Sequence, residues 1–285
     1  MDRIIEICCG SYEDAINAYR GGAKRIELNS ALYLGGLTPS IATLELIKRN
    51  TDLEVICMVR PRDAGFCYSD LEKKQIFAEA KALLERGADG LAFGFLTEDR
   101  TIDLESTQKM VNLVHSYGKT AVFHRAFDCV KDEKTAINEL IKLNVNRVLT
   151  SGLKATAIEG KELIRSLQET VGAKIEILAG SGINKDNAKD LIEYTKIKQI
   201  HSSCRAWKED KTTFSDFVNY AFTQGENKAC YDYVDENLVR NSSYYMERSI
   251  ELAVEAEDTS KIVHYLRNHT RLLPTRRTSA PSSMS

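Results

Sequence analysis

The sequence contains no apolar run approaching the roughly 20 residues of a membrane-crossing helix. A helical span is therefore excluded. Charge of one sign is also lacking: 39 basic residues stand against 41 acidic ones, for a net charge of −2. No global field would draw such a chain to nucleic acid or to an anionic membrane. Seven cysteines are present, but no CxxC pair and no zinc-finger spacing. Met1-Asp2-Arg3 runs straight into strand-like Ile4-Ile5-Glu6-Ile7-Cys8, leaving no room for a signal peptide. Free thiols in a reducing, cytoplasmic setting are expected.

What is there is one recurring unit: a helical stretch ending near Gly, a short link, then a brief apolar strand. It reads Gly22-Ala23-Lys24-Arg25-Ile26-Glu27-Leu28, then Gly87 to Phe93, Gly118 to Phe123 and Gly172 to Leu178. Gly beyond a helix end supplies a left-handed cap, and the β-branched or aromatic runs supply strands. Arg3 to Cys8, Leu53 to Val59, Asn146 to Thr150 and Lys198 to His201 bring the expected strands to eight. Helix starts are predicted at Ser11, at Thr38-Pro39 and at Ser69 with Glu72. Further helices are predicted over Asp103 to Tyr117, Asp132 to Leu143, Ala157 to Val171 and Asn184 to Tyr194. Eight alternating units point to an α/β fold, a (β/α)8 TIM-type barrel over residues 1–204. Residues 205–270 read as an extension with a long amphipathic helix, Tyr244 to Leu266, packed on the barrel or a second subunit. Residues 271–285, rich in Ser and Pro, read as a disordered tail.

In such barrels function gathers at the carboxyl ends of the strands. Those ends supply Glu6 and Cys8, Glu27 and Asn29, Arg60 and Arg62, Gly94, and then His124, Arg125 and Asp128. They also supply Thr150-Ser151-Gly152, Gly180-Ser181-Gly182 and His201-Ser202-Ser203. No lysine stands there, which argues against Schiff-base chemistry. So many polar groups facing a core are costly unless a ligand uses them, although Glu6 and Glu27 pairing with Arg25 or Arg60 would make a structural ion cluster. As an enzyme, the set offers Glu6 or His124 as acid or base and Asp128 to orient His124 or Arg125, with Glu27 and His201 as another pair. Arg60 and Arg62 would grip a small anion through bidentate hydrogen bonds, with Arg125, Thr150 and Ser151 nearby. Gly180, Gly182, Ser202 and Ser203 sit where these barrels hold phosphate. A hard divalent ion on Glu6, Glu27 and His124 is a further option. Cys8 and Cys9 face opposite ways along a strand, so Cys8 is the thiol available at the mouth. Cys67, Cys129 and Cys204 are expected over the same mouth, and Cys57 in the core.

Together these stretches resemble the CutC family of copper homeostasis proteins. The matching motifs are Glu6-Ile7-Cys8, Gly22 to Leu28, Gly35-Gly36-Leu37-Thr38-Pro39-Ser40, and Arg60-Pro61-Arg62 with Tyr68-Ser69-Asp70. Phe123 to Asp128, Arg147 to Gly152 and His201-Ser202-Ser203 complete them, in the family's order. The resemblance implies a TIM-type barrel, a cytoplasmic homodimer, and copper binding or handling. In animal members Cu(I) binding is attributed to two cysteines; Cys8 matches the first and Asn29 replaces the second. Cys67, Cys129 or Met58 would then have to supply a second soft donor. The alternative carried by the residues is a barrel enzyme acting on a phosphorylated or sugar-derived anion. A scaffold bound through the C-terminal helix is a third option, and it leaves the polar mouth unexplained.

Overall fold

Eight short strands pair in parallel and close on themselves in the computed structural model of this chain, which describes residues 3–221 and 225–243. The strands are β1 (Ile4–Cys9), β2 (Arg25–Leu28), β3 (Glu54–Met58), β4 (Gly90–Phe93), β5 (Thr120–Phe123), β6 (Arg147–Thr150), β7 (Glu176–Ala179) and β8 (Gln199–Ser202). Between them run α1 (Tyr12–Arg20), α2 (Ile41–Asn50), α3 (Asp70–Glu85), α4 (Leu104–Ser116), α5 (Glu133–Lys142), α6 (Lys161–Val171) and α7 (Ala188–Thr195). The expected TIM barrel is thus what the chain forms.

Local chemistry explains most helix starts. Ser11 accepts from the Asp14 N–H, and Ser69 with Glu72 forms a complete capping box. Asp103 and Asp132 cap α4 and α5 in the same way. The second helix begins later than its Thr-Pro signal suggests. Thr38 is tied to the end of β3, its N–H donating to the Arg60 carbonyl at 3.0 Å and its hydroxyl to Glu79 Oε2 at 2.6 Å. The chain therefore stays extended through Pro39, and Ser40 becomes the cap.

The barrel lumen is divided. On β3, β4 and β5 the inward side chains Ile56, Met58, Ala92 and Val122 make a small apolar cluster, separate from the main core under the helices. Opposite them the lumen is filled by charge. Register places Glu6 beside Arg25 on one neighbour and beside His201 on the other, because β8 closes onto β1. Glu6 Oε2 lies 2.7 Å from Arg25 Nε, and Arg25 Nη2 donates to Gln199 Oε1 at 2.5 Å. Arg147 Nε meets Glu176 Oε2 at 2.7 Å, and Gln199 Nε2 donates to that same oxygen at 2.9 Å. This network fills the amino-terminal half of the lumen beneath the mouth.

After β8 the chain does something no periodicity announced. Instead of entering a helix it turns at Cys204, in the left-handed region, and forms an antiparallel hairpin of β9 (Arg205–Glu209) and β10 (Cys230–Val234). The hairpin is pinned to α1. Asp14 accepts from the Val234 N–H at 2.8 Å and from the Gly10 N–H at 2.9 Å, while Asn17 donates to the Val234 carbonyl at 3.0 Å. Residues 236–243 are then helical, and Val239 packs so closely on Gly21 that a Cβ there would meet it at 2.5 Å. The long helix expected over Tyr244 to Leu266 and the tail from 271 lie outside the described residues.

Candidate functional site

The carboxyl ends of the strands surround a cavity of about 370 Å³. Its lining divides into two walls: Cys8, Glu27, Asn29 and His201 from β1, β2 and β8, facing Arg60, His124, Arg125 and Asp128 from β3 and β5. Met58, Phe66 and Cys129 also line it.

On the first wall, His201 Nδ1 lies 2.9 Å from Glu6 Oε1, and its Nε2 lies 4.0 Å from Glu27 Oε2. One donor atom from each of Cys8, Glu27 and His201 falls within 4.8 Å of the other two. Asn29 Nδ2 donates to Glu27 Oε2 at 2.9 Å and reaches Cys8 Sγ at 3.6 Å, while its buried Oδ1 has no partner. Burial pulls the His201 pKa down, but the contacts with Cys8, Glu6 and Glu27 carry it well above its ordinary value. Burial pushes the Cys8 thiol up against the pull of His201, and burial likewise raises Glu27.

On the second wall, His124 Nδ1 accepts from the Ala126 N–H at 3.1 Å, so the ring proton sits on Nε2. Burial, with the nearby charges of Arg60 and Arg125, drives its pKa down to about 3. His124 is therefore a neutral donor, not the acid or base expected from the sequence, because its lone pair is already engaged. Each histidine lies against a glycine of the preceding strand's end. A Cβ on Gly94 would meet His124 Cε1 at 2.5 Å, and one on Gly180 would stand 3.4 Å from His201 Cβ and 2.7 Å from Leu149. Gly94 thus makes room for the His124 ring, whereas at Gly180 the close approach is to Leu149.

Several other expectations change once the contacts are known. Glu6 does not reach the cavity; both its oxygens face Arg25 and His201, which makes it a positioning residue. Asp128 orients Arg125 (2.8 Å) rather than His124, and it also accepts from the Thr150 hydroxyl at 2.5 Å and the Ser151 N–H at 3.0 Å. With Ser151 donating again through its hydroxyl at 2.8 Å, this carboxylate is a staple between β5 and β6. Arg62 lies outside the cavity. It pairs with Glu72 and donates to the carbonyls of Asp63, Gly65 and Cys67, holding the loop to the start of α3. Arg60 spends its terminal nitrogens on the carbonyls of Leu34, Gly36 and Ala64, so neither arginine offers a bidentate fork. Gly182, Ser202 and Ser203 do not line the cavity; Ser202 donates to the Ile183 carbonyl at 2.8 Å. A hard-metal set of Glu6, Glu27 and His124 does not assemble, since Glu6 and His124 belong to separate networks; Cys8, Glu27 and His201 do assemble. Cys129 and Met58 share the cavity with Cys8, whereas Cys67 is exposed outside it and Cys204 is buried beside Ser242. Cys57 is a core residue, as expected, and Cys9, on the strand face opposite Cys8, is one too.

Phe66 and Arg205 are among the contributors not anticipated from the sequence, as are Leu32 and Leu149. Phe66 comes from the loop after β3, and Arg205 from the first residue of the hairpin. An aromatic within the long Arg60 to Ser69 connection was a usable signal for the first; nothing local marked the second.

The donor set can be weighed against the metal that the resemblance implies. A two-thiolate Cu(I) pair is not formed at Cys8 and Asn29, because an amide stands where the second sulfur would be. One sulfur, one imidazole nitrogen and one carboxylate, with a thioether and another thiol in the same cavity, still fit a copper ion.

The model of the CutC family matches residues 3–206. A CutC family protein of Treponema denticola is 50% identical over 209 residues, covering 73% of this chain and 84% of that one. The copper homeostasis protein cutC homolog of Homo sapiens is 38% identical over 230 residues, covering 81% and 82%. Among solved structures, that of the CutC copper homeostasis protein from Streptococcus agalactiae superposes with a TM-score of 0.67 at 29% identity, covering 70% of this chain and 98% of that one. With the family model matched over residues 3–206 and the barrel shared with a solved relative, this chain belongs to the CutC family.

Proposed function

We propose that this protein handles copper at the mouth of its barrel, taking the ion as cargo on Cys8 and His201, with Glu27 beside them. The relatives named copper homeostasis proteins suggest the metal. The observation that carries the reading is the orientation of His201. Its Nδ1–H is held by Glu6, leaving Nε2 turned toward Glu27, and a donor atom of His201 lies within 4.8 Å of one from Cys8 and one from Glu27. A ligating histidine is ordinarily fixed by such a carboxylate behind it. The Met58 thioether and the Cys129 thiol line the same cavity as additional soft donors. All seven cysteines are unbridged, which supports a reducing, cytoplasmic setting.

Titration of the full chain with Cu(I) under anaerobic, reducing conditions, against a competing chelator, tests this. The wild type is expected to retain about one Cu(I) per chain. Cys8→Ser should abolish that retention, and Cys67→Ser should leave it unchanged. Retention by Cys8→Ser equal to that of wild type would overturn the assignment.

A second reading, acid–base chemistry on a small anionic ligand, is favoured by one feature. His201, its pKa raised by Cys8, Glu6 and Glu27, and Glu27, its carboxyl raised by burial, face the same cavity with Nε2 and Oε2 4.0 Å apart, an acid–base pair within reach of one ligand.

A further inference from the structure

The wall opposite Cys8 carries a positive charge, Arg60, that nothing among the described residues balances. Arg60 is only 5% exposed and makes no ion pair among the described residues. Its terminal nitrogens donate to Leu34 O at 2.9 Å, Gly36 O at 3.1 Å and Ala64 O at 2.7 Å. Carbonyl oxygens satisfy N–H groups but leave the net charge standing. The Tyr68 hydroxyl, raised to about 12 chiefly by burial, also faces Arg60 and is likewise uncharged at neutral pH.

Beside Arg60, His124 is 3% exposed, with its proton on Nε2 and no partner for it. Both side chains border one aromatic ring: Phe66 lies 4.9 Å from the His124 ring and 5.3 Å from the Arg60 guanidinium carbon. Arg125 and Arg205 also line the cavity, but each has its own counter-charge, Asp128 at 2.8 Å and Asp232 at 3.2 Å, which leaves Arg60 as the uncompensated cation of this wall among the described residues. The cavity's own carboxylates are committed elsewhere. Asp128 is saturated by Arg125, Thr150, Ser151 and Leu153, and Glu27 is engaged by Asn29 and His201. A buried cation without a counter-charge and a buried donor without an acceptor are each costly. Placed together on one cavity wall, they describe the shape of what is missing.

We propose that this wall seats an oxyanion, the carboxylate or phosphate group of a small molecule, with His124 Nε2–H donating to it and Arg60 balancing its charge. The ring stays neutral throughout, because its other nitrogen is held by the Ala126 N–H. His124 thus acts as a fixed donor that neither takes up nor gives away a proton on binding. Phe66 and Leu32 supply the apolar surface for the carbon part of the ligand. The seat uses none of Cys8, Glu27 or His201, so it stands or falls independently of copper.

The test is calorimetric titration of the full chain, freed of metal by a chelator, with inorganic phosphate, glycerol phosphate and succinate. In parallel, the wild type labelled with 15N-histidine is followed by NMR. Saturable binding of at least one probe is expected, with a shift of the His124 Nε2–H signal. His124→Phe keeps a ring against Gly94 but removes the donor, and should weaken binding by about tenfold or more. A response confined to the phosphates, or to succinate, identifies the group carried by the ligand and supports the seat in either case. Absence of binding by both classes would overturn the proposal. So would equal affinity in His124→Phe, or binding that leaves the His124 signals unmoved. The NMR measurement on the wild type decides the matter if the variant does not fold.

Discussion

Glu6→Gln is expected to destabilise the protein by about 3–5 kcal/mol, the loss typical when one partner of a buried charge network is removed. Glu6 is 1% exposed and is the carboxylate shared by Arg25 at 2.7 Å and His201 at 2.9 Å, with Arg147 at 3.9 Å. Glutamine keeps the shape and can still hydrogen-bond, so what disappears is the negative charge at the centre of three cations. Urea unfolding at neutral pH measures the loss.

The pH dependence gives the same experiment a second readout. Burial alone would raise the Glu6 carboxyl, but Arg25, His201 and Arg147 hold it at about 2 against an ordinary 4.5. A group depressed in this way contributes its stability above the ordinary value and loses it as pH falls from 4.5 towards 2. The contribution is on the order of 3 kcal/mol. His201 runs the opposite way. Its elevated value adds stability that is whole below 6.5 and declines as pH rises from there through the folded-state value. The wild type should therefore show an acid limb between pH 4.5 and 2 that flattens in Glu6→Gln. The same variant should bind Cu(I) about 10–100-fold more weakly, the usual cost of losing the carboxylate behind a ligating histidine. A variant as stable as wild type, with an unchanged acid limb, would remove Glu6 from the centre of the network.

Asp14→Ala is the second large effect, about 3 kcal/mol, because one buried carboxylate serves two backbone donors and alanine leaves both unpaired. The donors are the Gly10 N–H at the end of β1 and the Val234 N–H of the hairpin. The change should loosen β10 before it loosens the barrel. Hydrogen exchange is expected to accelerate at Val234 and its neighbours well ahead of the amides of β1 to β8. Since the hairpin also carries Arg205 into the cavity lining, the variant tests whether α1 governs the mouth from outside the barrel. Unchanged exchange at Val234 would show that other contacts hold the hairpin.

The barrel was legible because its signals are local. Gly-terminated helices, hydroxyl and acid caps and short β-branched runs recur along the chain, and each depends on neighbours within a few residues. The family motifs are legible for the same reason. Alternation along a strand also separated Cys8, at the mouth, from Cys9, in the core.

Register and closure are not local. Which strand-end groups are spent on the protein and which are left for a ligand depends on residues distant in sequence. Glu6 meets His201, 195 positions away, only because β8 returns to β1. That contact turns Glu6 from a candidate acid into the support of a histidine. Arg62 looked equivalent to Arg60 until the loop wrapped it onto Glu72, and Asp128 looked like the partner of His124 until β6 brought Thr150 and Ser151 to it. The hairpin after β8 lacked a periodic signature because its exposed residues gain little from alternation. The sequence by itself determined the barrel, the family and the set of polar groups gathered at the mouth. Tertiary structure alone decided their protonation and their availability, because pairing and desolvation arise only when distant strands are packed together.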